Sequence, residues 1–283
     1  MPLAALALLF GSALLHAFWN LLLKRSSERL IATWWALLLG STLLLPTLSW
    51  MGLPARAAWG LLALAVVAEA AYYLILAAAY RKADFSLVYP IGRGSAPVLI
   101  LLWSILFLGE RPSWGGAVGV AVLVLGLLLV GWPARGRGGV RPHLRGVLLA
   151  LALALIVSVY SVLSGTAVKR TPAFPYAVVM FFLTPLLLAP YMLRRHGWSR
   201  LRAELAARTP QLLGLGLLII LAYLLALWAY ARAPVGYTGA VREVSVVLAA
   251  FAGWRFLGED LGARRVAGAA VIFAGILLIA LLG

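Results

Sequence analysis

Ten apolar stretches, most of them close to twenty residues long, follow one another along this chain with short connections between them. They fall at 3–23, 31–50, 57–80, 85–107, 112–130, 143–163, 175–193, 209–231, 235–254 and 266–282. A helix needs about 20 apolar residues to cross roughly 30 Å of hydrocarbon. The pattern therefore predicts an all-α integral membrane protein of ten transmembrane helices, with no room for a soluble domain. At 64% hydrophobic residues the chain lies far above the apolar share of a soluble protein. The first stretch has no basic leader and no convincing small-residue cleavage site, and it carries His16, Trp19 and Asn20. It is read as a retained span, not a signal peptide. With no cysteine, disulfides and thiolate metal sites are excluded.

The chain also says one thing twice. Gly109-Glu110 is followed nine residues after the Glu by Gly119 and seven later by Gly126; Gly258-Glu259 is followed at the same intervals by Gly268 and Gly275. Arg93 stands 17 residues before Glu110, and Arg242 stands 17 before Glu259. Leu23-Lys24-Arg25-Ser26 recurs as Val168-Lys169-Arg170-Thr171, and Tyr73 with Ala79-Tyr80 recurs as Tyr223 with Ala229-Tyr230. A duplicated chain is expected, with halves 1–136 and 137–283 joined through a Gly- and Pro-rich linker around 131–142. Five spans per half force the halves into opposite orientations, the inverted-repeat plan of secondary transporters.

The charge of +16 lies in the wrong places for nucleic-acid binding. Seventeen basic residues fall in the odd-numbered connections and five in the even ones, with Arg93 and Arg242 inside spans. That asymmetry is the positive-inside signal. It places the odd connections in the cytoplasm and both termini outside, periplasmic in a bacterial inner membrane. The bias flips between the halves, as an inverted pair requires. Anionic lipid beside a solvated basic face accounts for the charge without a polyanionic partner.

Charges at membrane depth cost about 2.5–3.5 kcal/mol each, so they require a reason. Glu69 lies in the third span, Arg93 in the fourth, and Arg242 with Glu243 in the ninth. Two acids and two arginines can lock the halves together as ion pairs, or they can form a site. Neighbouring helix residues point about 100° apart, so one of Arg242 and Glu243 faces the cavity and the other braces the bundle. Arg93 is flanked by Pro90, Gly92 and Gly94, which predicts a kinked or hinged span at a binding site. Arginine forks suit carboxylate or phosphate, and Glu69 and Glu243 are candidates for proton coupling. Tyr73 and Tyr223 are expected to line the cavity. Trp34, Trp35, Trp50, Trp59, Trp132, Trp198 and Trp254 are expected in the interfacial belt. The glycines 115, 116, 119, 126, 268 and 275 are assigned to close helix packing, in the scaffold or a dimer. Glu110 and Glu259 are expected to cap or bridge the turn into the following helix. Hydrolase, zincin, phosphate-loop and dinucleotide motifs are missing, so no enzyme, catalytic residue, metal or cofactor is expected.

The doubled Phe-Leu-Gly-Glu (107–110 and 256–259), each with its downstream Gly-x6-Gly, and His16-Ala17-Phe18-Trp19-Asn20 with Lys24 resemble the EamA-type branch of the drug/metabolite transporter superfamily. The resemblance spans essentially the whole chain. It implies a ten-helix inverted-repeat carrier of small metabolites. Its central cavity would be lined by spans one, three, four, six, eight and nine. Here those spans hold His16, Trp19, Asn20, Tyr73, Arg93, Ser161, Ser164, Tyr223, Arg242 and Glu243. The expectation is an alternating-access exporter of a small anionic or zwitterionic metabolite of amino-acid type, monomeric or homodimeric in the bilayer. The alternatives are an organic-cation or drug exporter, in which the acids bind, and a non-transporting membrane scaffold.

Overall fold

The fold is that of a computed structural model describing residues 1–24, 26, 28–82, 85–131, 144–245, 247–248, 251 and 263–283, with backbone alone for 24, 77–82, 85–94, 131, 145 and 265. The apolar stretches become helices because a bilayer offers the backbone no other partner. The principal helices are α1 (Leu3–Lys24), α2 (Arg29–Leu44), α3 (Trp59–Lys82), α4 (Phe85–Leu108) and α5 (Trp114–Gly131) in the first half. The second half holds α6 (Leu144–Ala167), α7 (Ala173–His196), α8 (Trp198–Tyr230), α9 (Val235–Arg242) and α10 (Ala263–Leu282). Among the described residues every regular element is helical. Among the described residues, six helical stretches are long and apolar enough to cross a membrane, and Ser95–Leu108, Trp114–Val130 and Val266–Leu282 form shorter apolar helices. The outward faces are apolar as well: Leu64, Leu106, Phe107 and Leu277 are all exposed. Such a surface belongs in lipid, and the chain is a multi-pass membrane protein.

Two helices depart from the expected spans. The segment before residue 209 extends α8 back to Trp198, and the helix breaks at Arg208, whose φ of −141° is non-helical. Pro210 lies at this break, where it removes a backbone donor and crowds the preceding turn. The first piece carries Arg200, Arg202 and Glu204, which hide it from an apolar-run search. In the ninth span α9 ends at Arg242, Glu243 is a turn, and helical backbone resumes at Val244. The α4 backbone, by contrast, is helical from Phe85 to Leu108, through Pro90, Gly92 and Gly94.

Packing runs mainly between the halves. α5 lies on α10, α4 on α6 and α9, α3 on α6 and α7, α2 on α7 and α8, and α1 on α8 and α9. The α5–α10 seam is closed by glycines. A Cβ on Gly119 would sit 2.9 Å from the Gly275 carbonyl oxygen, and one on Gly126 would sit 2.8 Å from that of Gly268. The motif glycines thus face one another inside one chain, which settles scaffold against dimer contact for these positions. Gly40 meets Gly216 in the same way between α2 and α8, 2.9 Å from its carbonyl carbon.

The tryptophans divide. Trp50, Trp59, Trp114 and Trp198 are exposed, while Trp34 and Trp35 are buried. The indole of Trp34 donates to the Pro185 carbonyl at 2.8 Å, and that of Trp35 donates to Leu201 at 2.9 Å. Trp34 and Trp35 are therefore core clamps, not belt residues: a buried indole N–H requires an acceptor, and another helix supplies one. Trp132 and Trp254, like the linker from residue 132 to 142, lie outside the described residues.

Candidate functional site

The polar residues of five helices converge on one interior region. Glu69, on α3, is 6% exposed, and its Oε2 meets no hydrogen-bond partner. Tyr73 follows one helical turn later on the same face. Its neighbour Tyr72 packs edge-on against it at 5.3 Å between ring centroids, and 6.3 Å from Tyr160 on α6. The Arg242 guanidinium, at the end of α9, donates from Nη2 to the Tyr160 hydroxyl at 3.3 Å. Its carbon stands 5.9 Å from the centre of the same ring, within cation–π range. Tyr223, Tyr230, Glu243 and Glu69 share the electrostatic surroundings of Arg242. Glu243 is fully buried while Arg242 is only partly so.

A second cluster adjoins the first. Tyr223, on α8, donates to the Ser164 hydroxyl on α6 at 2.9 Å, and Ser164 shares a further 2.9 Å hydrogen bond with Tyr176 on α7. One serine thereby ties three helices together. Phe181 packs edge-on against Tyr223 at 5.1 Å. Trp19, Tyr73 and Tyr223 all pack on the apolar cluster that contains Phe181. Ser161, three residues before Ser164, is fully buried with its hydroxyl unpartnered, and the buried Tyr230 hydroxyl is likewise unpartnered.

Of the expected site residues, the structure brings Tyr73, Tyr223, Ser161, Ser164, Glu69, Arg242, Glu243 and Trp19 into this region. His16 is half-buried on α1 with its ring 4.8 Å from Trp19. Asn20 spends its amide locally, donating to the His16 carbonyl at 2.7 Å. The Arg93 side chain, with Tyr80 and Tyr89, lies outside the described residues. Sequence reasoning missed Tyr176 and did not place Tyr230 in the site. The signal for Tyr230 was present, in the recurrence of Ala79-Tyr80 as Ala229-Tyr230; Tyr176 carried none. A narrow apolar crevice of about 10 Å³ between α2 and α7 reaches Tyr73, lined also by Trp34, Leu37 and Pro185.

Glu110 does something other than cap its own neighbour. Its Oε1 accepts from the Val235 amide at 2.7 Å and its Oε2 from Gly236 at 3.0 Å, with Lys169 Nζ at 3.4 Å. The carboxylate sits on the N-terminus of α9, in the opposite half, where it satisfies two orphan donors and complements the helix dipole. Glu259 and the second Phe-Leu-Gly-Glu lie outside the described residues. Among the described residues no cluster of metal-ligating side chains occurs.

The structure is a helical membrane bundle with charges and hydroxyls gathered inside it. The EamA-like transporter family model matches residues 3–132 and again 144–281, so the chain belongs to that family, within the drug/metabolite transporter superfamily. It is 28% identical over 232 residues to the uncharacterized transporter YwfM of Bacillus subtilis (strain 168), covering 78% of this chain and 73% of that protein. A solved structure titled "Crystal structure of protein" superposes with a TM-score of 0.79 at 21% identity, covering 99% of each chain. At that identity the likeness speaks for the fold alone.

Proposed function

We propose that this transporter is an alternating-access exporter of a small anionic or zwitterionic metabolite of amino-acid type. The observation that carries the reading is Arg242. Among the described residues its guanidinium, held among tyrosines, donates one hydrogen bond, to the neutral Tyr160 hydroxyl, and the remaining donors of the fork are the ones offered to a ligand oxyanion. Such a fork matches a carboxylate or a phosphate in bidentate geometry. The reading takes the halves 1–136 and 137–283 as an inverted pair. Two facts support inversion. Gly119 meets Gly275 while Gly126 meets Gly268, so α5 and α10 run antiparallel. Gly119 and Gly268 are repeat equivalents, as are Gly126 and Gly275, so each contact is the exchange image of the other. Repeats related by an axis along the membrane normal would run these helices parallel. The basic connections put both termini on the periplasmic side of a bacterial inner membrane. The chain is taken as a carrier and not as an enzyme.

The test is transport in proteoliposomes loaded with amino acids, organic phosphates or phosphonates. We expect export of at least one such anion or zwitterion, lost in Arg242→Ala and in Arg93→Ala. Normal transport by both variants would sink the arginine grip. A second reading, export of an organic cation, is favoured by one observation: the buried Glu69 Oε2 has no partner. Transport of cations alone, abolished by Glu69→Gln and preserved in Arg93→Ala, would establish that reading instead.

A further inference from the structure

The helix α8 is longer than a membrane span requires. Its 33 residues would extend about 50 Å at 1.5 Å per residue, against roughly 30 Å of hydrocarbon. After the break at Arg208, residues 210–230 carry no charge and are long enough to cross alone. Before it, residues 198–208 carry Arg200, Arg202, Glu204 and Arg208, charges that are costly at membrane depth. This first piece therefore lies outside the hydrocarbon. Its inward side is fixed to the bundle. Leu201 is fully buried, and Leu205, one turn on, packs on the same apolar cluster as Trp34 and Trp35. The Leu201 carbonyl accepts from the Trp35 indole at 2.9 Å, and Arg200 pairs with Glu28 at the start of α2.

The outward side keeps positive charge uncompensated. The two acids at hand are spent, Glu28 on Arg200 and Glu204 on Arg208 at 3.8 Å. Arg202, with Arg194 and Arg195 just across the Gly197 turn at the end of α7, is exposed. Among the described residues none of these three has an acidic partner. Trp198 stands one turn before Arg202, 55% exposed, with its ring centroid 6.3 Å from that of the buried Trp35. Ala203, Ala206 and Ala207 are exposed too. A helix standing in water presents a polar free face, whereas tryptophan and small apolar residues among arginines suit a helix at a bilayer surface. We infer that residues 198–208 lie along the membrane surface and that Arg194, Arg195 and Arg202 hold the headgroup phosphates of anionic phospholipid. Arginine forks match phosphate oxygens, and the Trp198 indole takes the headgroup depth that tryptophan prefers. Because the same piece is tied to α2, which packs on α7 and α8, bound lipid steadies that side of the bundle.

The experiment titrates the purified full-length protein in detergent with phosphatidylglycerol, cardiolipin, phosphatidylcholine or inorganic phosphate. Retained lipid is read by native mass spectrometry and stabilisation by the melting temperature, which a ligand of the folded state raises. The expected result is retention of, and stabilisation by, phosphatidylglycerol and cardiolipin alone. An arginine beside an anionic surface contributes about fivefold, so Arg194→Gln, Arg195→Gln and Arg202→Gln together should lower apparent affinity on the order of 100-fold. The lipid-free melting temperature should stay near wild type, because these side chains hold no acid. A control variant, Arg56→Gln with Arg111→Gln and Arg170→Gln, removes the same charge from exposed positions in other connections and should bind lipid normally. Equal loss in both variants would reduce the effect to net charge and overturn the site. Phosphatidylcholine bound as well as phosphatidylglycerol, or inorganic phosphate stabilising as well as either anionic lipid, would also overturn it. Placement is tested separately, since the chain has no cysteine of its own. Ala203→Cys carrying a nitroxide is reconstituted in phosphatidylcholine vesicles with an equal part of phosphatidylglycerol. Oxygen collisions above the aqueous level, marking headgroup depth, are expected; a label as open to a water-soluble relaxant as in free solution would sink the surface placement.

Discussion

The α5–α10 seam and the tyrosine-lined centre both join the two halves, yet they follow opposite rules. At the seam the backbones approach until a single methyl group has no room: Gly126 would place a Cβ 2.6 Å from the Ile272 amide nitrogen. Nothing polar is asked of the side chains, and dispersion between close backbones holds the contact. At the centre the side chains are large, hydroxylated or charged, and three of their atoms are left unsatisfied. The seam is complete in itself, whereas the centre keeps polar atoms without partners. On the proposed function, that difference separates the part of a carrier that holds its halves together from the part that recognises cargo.

The largest expected effect comes from breaking the seam. Gly126→Leu or Gly268→Leu drives a branched side chain into backbone, where overpacking costs about 1–3 kcal/mol or more; size-exclusion chromatography in detergent should show little monodisperse protein. At the centre the conservative exchange is the sharper test. Arg242→Lys keeps the charge but loses the fork, so transport should fall about 10-fold or more while the elution profile and melting temperature stay near wild type. A transport-active, unstable Arg242→Lys protein would erase the contrast between the two regions. Glu110→Ala removes both acceptors from the start of α9 and should lower stability by about 0.5–2 kcal/mol, read as a lower thermal midpoint. The smallest effect is assigned to Trp35→Phe, which gives up one indole hydrogen bond to Leu201, about 1 kcal/mol.

The seam could be read from the chain because glycine spacing is a local signal with one dominant meaning in a membrane. The spans were readable for the same reason: the expected 3–23 and 266–282 compare with helices Leu3–Lys24 and Ala263–Leu282. What escaped depends on a partner from elsewhere. Trp34 and Trp35 look like belt residues until the Pro185 and Leu201 carbonyls, more than 150 positions away, are placed over their indoles. Tyr176 is indistinguishable from a core phenylalanine until Ser164 meets its hydroxyl. Glu110 was expected at a helix start, and it occupies one, but in the other half of the chain. Periodicity reports which face of a helix is apolar and is silent about which helix will cover it. The charged centre lies between these cases. Its residues stood out by their cost, while their mutual arrangement awaited the fold.

The bond from Glu110 to α9 also sets an order in time. Glu110 precedes Val235 by 125 residues. At about 5–20 residues per second, the carboxylate is made on the order of ten seconds before the amides it will cap. Through that interval the first half waits with an unfilled acceptor, and α9 arrives with donors that its own half does not satisfy. Neither half reaches its final state in isolation, so maturation of this protein is a joining reaction in which α9, and after it α10, close on residues of the first half already in place.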